Sequence, residues 1–119
     1  MTQIITGIVV KGAGIASGEF GVPTANLNLA GDPQIDFGVY AVRVRHEEND
    51  LHGALCYGIG SPPKFEVHIF GYSADLVGSK ISVEIVEKVS ELVEWVSAEQ
   101  MRKKILCDLK LAREALELN

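Results

Sequence analysis

Thr24 and Asn26 stand two residues apart behind a proline, in the run Gly21-Val22-Pro23-Thr24-Ala25-Asn26. In an extended segment, residues at that spacing point their side chains the same way. A hydroxyl and an amide carbonyl are neutral oxygen donors, suited to a Mg²⁺ ion held largely by phosphates and water. Upstream lies a glycine-rich stretch, residues 11–22, containing Gly12, Gly14, Gly18 and Gly21. Glycines let the backbone come close to a ligand and present N–H groups to phosphate oxygens. Gly12, Gly14, Gly18, Gly21, Pro23, Thr24 and Asn26 are therefore candidate nucleotide-binding residues, with Thr24 and Asn26 as candidate metal ligands. On spacing alone, a plain Pro-Thr-Ala-Asn turn is the simpler account.

Other familiar chemistries are missing from the chain. No Gly-x-x-x-x-Gly-Lys-Ser/Thr occurs, and the Gly-Ser-Lys at 78–80 has the wrong spacing. Gly12-Ala13-Gly14-Ile15-Ala16-Ser17 lacks the third glycine of a dinucleotide fingerprint, and no helical pattern follows it. There is no Gly-x-Ser-x-Gly and no His-Glu-x-x-His. His46 and His52 flank the acidic run 47–50, which reads as a solvated turn. Cys56 and Cys107 form no Cys-x-x-Cys pair, and we expect both to be reduced, buried thiols.

The elements that must position Thr24 and Asn26 are mostly strands. Ile4–Val10 is apolar and β-branched, and Leu51–Tyr57 is a further candidate strand. Gly38–Arg45 alternates, with Tyr40, Val42 and Val44 on one face and Arg43 and Arg45 on the other. Phe65–Phe70 puts Phe65, Val67 and Ile69 on one face and Glu66 and His68 on the other. Lys80–Glu87 alternates around Ile81, Val83 and Ile85. Period-two patterning at this density predicts an antiparallel sheet that curls into a closed or nearly closed barrel, which removes exposed edges. The last quarter changes period: Met101, Ile105, Leu109, Ala112 and Leu116 recur at helical spacing. Ser97 and Gln100 form a capping box, and Val96 and Met101 occupy the positions of a hydrophobic staple. A helix is predicted from Ser97 to about Leu116, packed on the barrel.

With 119 residues, 47% of them hydrophobic, the chain suits one domain, residues 1–119, with a core that needs no covalent staple. A net charge of −5 argues against nucleic acid or anionic lipid as a partner. No apolar run approaches the roughly 18 residues of a membrane span, and the N-terminus lacks the pattern of a signal peptide. We expect a soluble, cytoplasmic monomer. From the residues alone, Glu66 reads as an exposed glutamate on the outer face of its strand.

The run Gly21-Val22-Pro23-Thr24-Ala25-Asn26-Leu27 resembles the signature of the riboflavin kinase family. Ile8-Val9-Val10-Lys11-Gly12, Gly38-Val39-Tyr40-Ala41-Val42, Phe65-Glu66-Val67-His68-Ile69-Phe70, Asp75-Leu76-Val77-Gly78 and the final helix with Asp108 resemble further family segments in the same order. The similarity spans about residues 7 to 116. It implies a mainly β fold, a six-stranded antiparallel Greek-key barrel with a long C-terminal helix. It implies an enzyme that transfers the γ-phosphate of ATP to the ribityl 5′-hydroxyl of riboflavin, giving FMN and ADP. Thr24 and Asn26 would hold Mg²⁺ (with Zn²⁺ or Mn²⁺ as substitutes) and the nucleotide phosphates. Glu66 would be the general base and residues 12–21 a flap over the nucleotide; His68, on the same face as Glu66, reads as structural or as a support to the residues around it, since nothing in the sequence assigns it a proton.

Four departures from the family pattern stand out. Residues 15–19 carry no basic residue where the family flap has arginine or lysine. Pro63 stands for the usual threonine in a shortened loop ending at Lys64, Val77 stands for a tyrosine, and residues 89–95 contain no arginine. A non-catalytic flavin- or nucleotide-binding barrel is the alternative reading, and an unrelated interaction barrel a third. Flavin binding tests the third, and removal of Glu66 separates the first two. Nothing in the sequence selects ATP over CTP or GTP.

Overall fold

The computed structural model describes residues 3–11, 24–72, 75–94 and 97–118. Six strands form where apolar residues alternate: β1 (Gln3–Val10), β2 (Ala25–Leu29), β3 (Gly38–His46), β4 (Asn49–Ile59), β5 (Lys64–Ile69) and β6 (Lys80–Ser90). They close into an antiparallel barrel in the order β1-β2-β5-β4-β3-β6, with β6 returning to pair with β1. β3, β4 and β5 are consecutive neighbours, while β2 lies beside β5 and β6 beside β3. That is the Greek-key arrangement, and closure leaves no free edge.

Val42, Val44, Leu55, Val67, Ile81 and Val83 fill the interior with almost no solvent contact. The faces anticipated for β3 and β5 are the observed ones. β4 and β6 run two or three residues further than their periodic apolar cores, because backbone pairing continues past the last inward side chain. β2 carries little strand signal, since asparagine is a poor strand former. Even so, Leu27 is buried between Asn26 and Asn28 and ties the segment to the core.

Among the described residues one helix, α1 (Ala98–Ala115), lies against the outside of the barrel. Ser97 caps it as expected: the Gln100 N–H donates to Ser97 Oγ at 3.2 Å. Val96, the proposed outer half of the staple, lies outside the described residues. Replacing a serine cap by alanine typically costs about 1 kcal/mol, so Ser97→Ala is expected to lower the midpoint of thermal unfolding by roughly 4 °C.

The C-terminal half of α1 packs closely because the residues beneath it are small. Ala112 and Leu116 meet Ala41 and Ala54 on the outer faces of β3 and β4. This second layer explains why β3 is buried on both faces along its first half. It also corrects the expectation for the thiols. Cys107 is exposed and Cys56 is half-buried. Asp108, like Ala112, is a residue of α1 turned to the barrel, and its neighbour Cys107 is rotated by about 100° toward solvent.

Candidate active site

Strand register assembles the site. Asn26 on β2 lies directly opposite Glu66 on β5. Glu66 lies opposite Cys56 on β4, Cys56 opposite Val39 on β3, and Val39 opposite Ser90 on β6. Residues in direct register share a face of the sheet and bring their Cβ atoms within about 5 Å at each step. The result is one row across five strands on the outer wall: Asn26, Glu66, Cys56, Val39, Ser90. Two residues named from a strand and a loop segment 40 positions apart thus become neighbours only through the β2–β5 pairing.

The N-terminal half of α1 and the segment after β6 roof part of this row. They bound a cavity of about 250 Å³. Leu92, Val93, Met101 and Ile105 form its apolar walls, and Thr24, Cys56, Lys64, Glu66, His68, Lys104 and Asp108 supply the polar groups. An apolar cleft with a few convergent polar groups is the usual form of a small-molecule site. The outer face of β5 is therefore not solvent-facing, as the residues alone suggested for Glu66, but the floor of a cleft.

Electrostatics follow from that half-burial. Desolvation holds the Glu66 carboxyl above the usual glutamate range, and the Lys64 ammonium pulls it part of the way back. A carboxylate raised in this way is a stronger base once ionised, which suits proton abstraction near neutral pH. Burial pushes the Cys56 thiol up to about 12, with Glu66 and Asp108 adding to the rise and Lys104 opposing it. Cys56 is thus a neutral spacer between charged groups, inert as a nucleophile.

Thr24 Oγ1 is buried and has no hydrogen-bond partner among the described residues. Asn26 is only 7% exposed. A buried oxygen left unpaired is costly, and its place at the cleft beside the Asn26–Glu66 pair fits an oxygen ligand to a cation or an acceptor for a bound group. Among the described residues, no three His, Cys, Asp or Glu side chains gather to hold a metal by themselves. The donor set fits an ion that brings phosphate oxygens as its main ligands.

Gly12, Gly14, Gly18, Gly21 and Pro23, with the rest of the expected flap, lie outside the described residues. The Asp75–Gly78 segment forms the expected turn: Asp75 Oδ1 accepts from the Val77 N–H at 3.0 Å, and the Gly78 N–H donates to Val9 O at 2.8 Å. Val77 is exposed there. Of the polar cleft residues, Lys104 was not singled out from the residues alone, and Cys56 was read there only as a buried thiol. Asp108 appeared only as part of the helix resemblance. The signal available for Lys104 and Asp108 was their i, i+4 spacing on the apolar stripe of α1.

Comparison with known proteins gives a consistent outcome. The sequence model of the Flavokinase family, described as riboflavin kinase, matches residues 2–116. The bifunctional riboflavin kinase/FMN adenylyltransferase of Buchnera aphidicola subsp. Schizaphis graminum is 28% identical over 123 aligned residues. Those residues take in 96% of this chain but 39% of that protein, so the chain spans about two fifths of its relative's length. Among solved structures, a Streptococcus pneumoniae chain described as a macrolide-efflux protein matches with a TM-score of 0.80 and 26% identity, over 92% of this chain and 38% of that one. The riboflavin kinase of Trypanosoma brucei shares the fold, with a TM-score of 0.70 at 17% identity over 98% of this chain and 78% of that one.

Proposed function

The chain belongs to the riboflavin kinase family, and from that premise we propose that its cleft binds riboflavin and transfers the γ-phosphate of ATP to the ribityl 5′-hydroxyl. The observation that carries this reading is the register pair Asn26–Glu66, which sets a base that lines an apolar cleft beside the segment that carries Thr24 and Asn26, Thr24 lining the same cleft.

Glu66 accepts the proton of the terminal hydroxyl as that oxygen bonds to the γ-phosphorus. The bond from phosphorus to the bridging oxygen breaks, and ADP leaves with the electron pair. Such transfers depend on alignment and charge neutralisation more than on covalent help. Thr24 and Asn26 would hold a divalent cation against the phosphates; when bound, it neutralises charge on them. Mg²⁺ fits the neutral oxygen set, with Mn²⁺ or Zn²⁺ as substitutes. Leu92, Val93, Met101 and Ile105 exclude water and clasp the flavin ring. Among the described residues no helix is long and apolar enough to cross a membrane, and the proposal places the reaction in the cytoplasm.

The direct test is formation of FMN from riboflavin, ATP and Mg²⁺, followed by chromatography and repeated with CTP and GTP. FMN with any donor supports the kinase. Riboflavin binding without FMN from all three leaves a flavin-binding barrel instead.

Lys64 offers a pH prediction. Its charge lowers the pKa of Glu66. In Lys64→Met that pKa rises further, so Glu66 stays protonated to higher pH. The acid limb of the kcat/KM profile is expected to move to higher pH, while the plateau above it keeps its shape. An unmoved limb would remove Glu66 as the titrating base.

A further inference from the structure

The proposed mechanism leaves His68 without a task. Lys64, Glu66 and His68 take alternate positions of β5, and all three line the cavity. Phe65, Val67 and Ile69 take the core positions between and beyond them, so the three polar residues share the outer face. Lys64 stands on one side of Glu66 and His68 on the other, each about 7 Å along the strand.

Register tells what His68 faces. Ala25 pairs with Val67 and Asn26 with Glu66, antiparallel. One residue back along that segment, Thr24 falls across from His68, and it lines the same cavity. On its other side His68 lies opposite Ala54 of β4, and Ala54 opposite Ala41 of β3. A second row therefore runs beside the first: Thr24, His68, Ala54, Ala41. Its alanine end seats the C-terminal half of α1 through Ala112. Its polar end, Thr24 and His68, lines the cleft.

The imidazole is braced from behind. Its ring meets Phe70 edge-on, with centroids 5.5 Å apart and planes at 79°. The Arg113 guanidinium of α1 lies 4.1 Å from the centroid of Phe70, and Phe70 packs against the alanine cluster under the helix. Support of this kind suits a group that must meet a substrate at fixed geometry.

At the Thr24 end, one observation points to a ligand: Thr24 Oγ1 is buried with no hydrogen-bond partner among the described residues. On the kinase reading that oxygen faces the cation and the phosphates. The attacked phosphorus then lies between it and the hydroxyl held by Glu66, and His68 borders both positions. Charge in such a transfer spreads over the equatorial oxygens of the phosphoryl group, and a fixed N–H aimed at one of them stabilises it. An imidazole carries a ring N–H in either protonation state. The described cations of the cleft are placed otherwise. Lys64 stands on the far side of Glu66, and Lys104 is engaged by Asp108 and Ser90.

We infer that His68 is a further catalytic residue, donating a ring N–H to an oxygen of the phosphoryl group in transfer. It exchanges no proton, and Glu66 keeps the role of base. The inference rests on the kinase reading for the place of the phosphates.

Three variants separate the N–H from the ring. His68→Phe keeps a ring for the contact with Phe70 and removes both nitrogens. His68→Asn and His68→Gln give up the ring but keep an N–H near the place of Nδ1 and of Nε2, respectively. FMN formation with the donor that the natural chain uses is read beside a thermal melt and calorimetric affinities for riboflavin, for the donor's β,γ-imido analogue and for its diphosphate. His68→Phe is expected to melt within about 2 °C of the natural chain. Its kcat/KM for the donor should fall by about tenfold to a hundredfold, the range for a hydrogen bond to a charged group. The imido analogue should bind about tenfold more weakly, while the diphosphate and riboflavin hold within about threefold. One of the two amides should recover kcat/KM to within about fivefold of the natural chain. A His68→Phe chain that keeps its rate, or that loses the diphosphate as much as the imido analogue, refutes the contact and leaves the kinase intact. Two folded amide variants that both stay as slow as His68→Phe also refute it. Should His68→Phe fail to fold, the amides decide: natural-like turnover in one of them supports the contact, and a hundredfold loss in both refutes it. If the natural chain makes no FMN with ATP, CTP or GTP, the kinase reading falls and the His68 contact with it.

Discussion

Glu66→Gln is expected to lower the rate of FMN formation by two or more orders of magnitude while leaving riboflavin affinity within about threefold. General-base catalysis typically contributes 10²- to 10⁴-fold, and a hundredfold loss corresponds to about 2.7 kcal/mol of transition-state stabilisation. Glutamine keeps the size and one carbonyl oxygen, so the floor of the cleft and the β5 register with Asn26 and Cys56 should persist. Stability provides a second readout with its own sign. Burial raises the pKa of Glu66 in the folded chain. Its protonated form is therefore the one the fold favours, and that contribution is present at pH values below the ordinary glutamate range and lost as pH rises through the folded-state pKa. Glutamine is never ionised. The variant should thus melt no lower than the natural chain at pH 7, and the difference between them should shrink in acid. A rate loss joined to a lower melting temperature at pH 7 would point to a structural role for Glu66 instead.

Thr24→Val should separate function from stability in the same direction. The hydroxyl oxygen is buried and unpaired among the described residues. Removing an unsatisfied buried polar group relieves a penalty of about 1–3 kcal/mol, so the variant is expected to be as stable as the natural chain or more so. Turnover at a fixed Mg²⁺ concentration should nevertheless fall by about a hundredfold, consistent with loss of one positioned ligand in a metal-assisted transfer. The half-saturating Mg²⁺ concentration should rise, and riboflavin affinity should hold. Titration of FMN formation against Mg²⁺, beside a thermal melt, gives both numbers. Unchanged metal dependence would return Thr24 to a purely local role in the turn before β2.

These two residues also show how far a linear reading reaches. Alternation predicted the inward faces of β3 and β5 because core-facing side chains repeat every second residue whatever the partner strand is. The cap at Ser97 was legible because a helix start is built from groups within three residues of each other. The order of the family segments carried the resemblance to riboflavin kinases across about residues 7 to 116, and the family model matches residues 2–116.

What the cleft is made of was decided at longer range. Alternation leaves outer-face residues looking solvent-exposed, and although Cys56 was expected to be buried, nothing local tied it to Glu66 and Val39. Those three meet through the β4–β5 and β3–β4 pairings, and Asn26 joins them only because β2 leaves β3 to pair with β5, a choice made by barrel closure around the common core and not by any short stretch of sequence. Cys107 and Asp108 are adjacent in the chain, yet one faces water and the other the barrel. The helical stripe already puts Asp108 at its edge and Cys107 on the far side, while the contact with Ala41 and Ala54 decides which strands that stripe covers. The sequence by itself therefore determined the periodic elements, the helix cap and the family, all of which rest on interactions between near neighbours. The tertiary structure alone decided that Asn26, Glu66 and Cys56 form one row and that Lys104 and Asp108 line the cleft beside it, because register and helix placement are settled by packing between segments far apart in the chain.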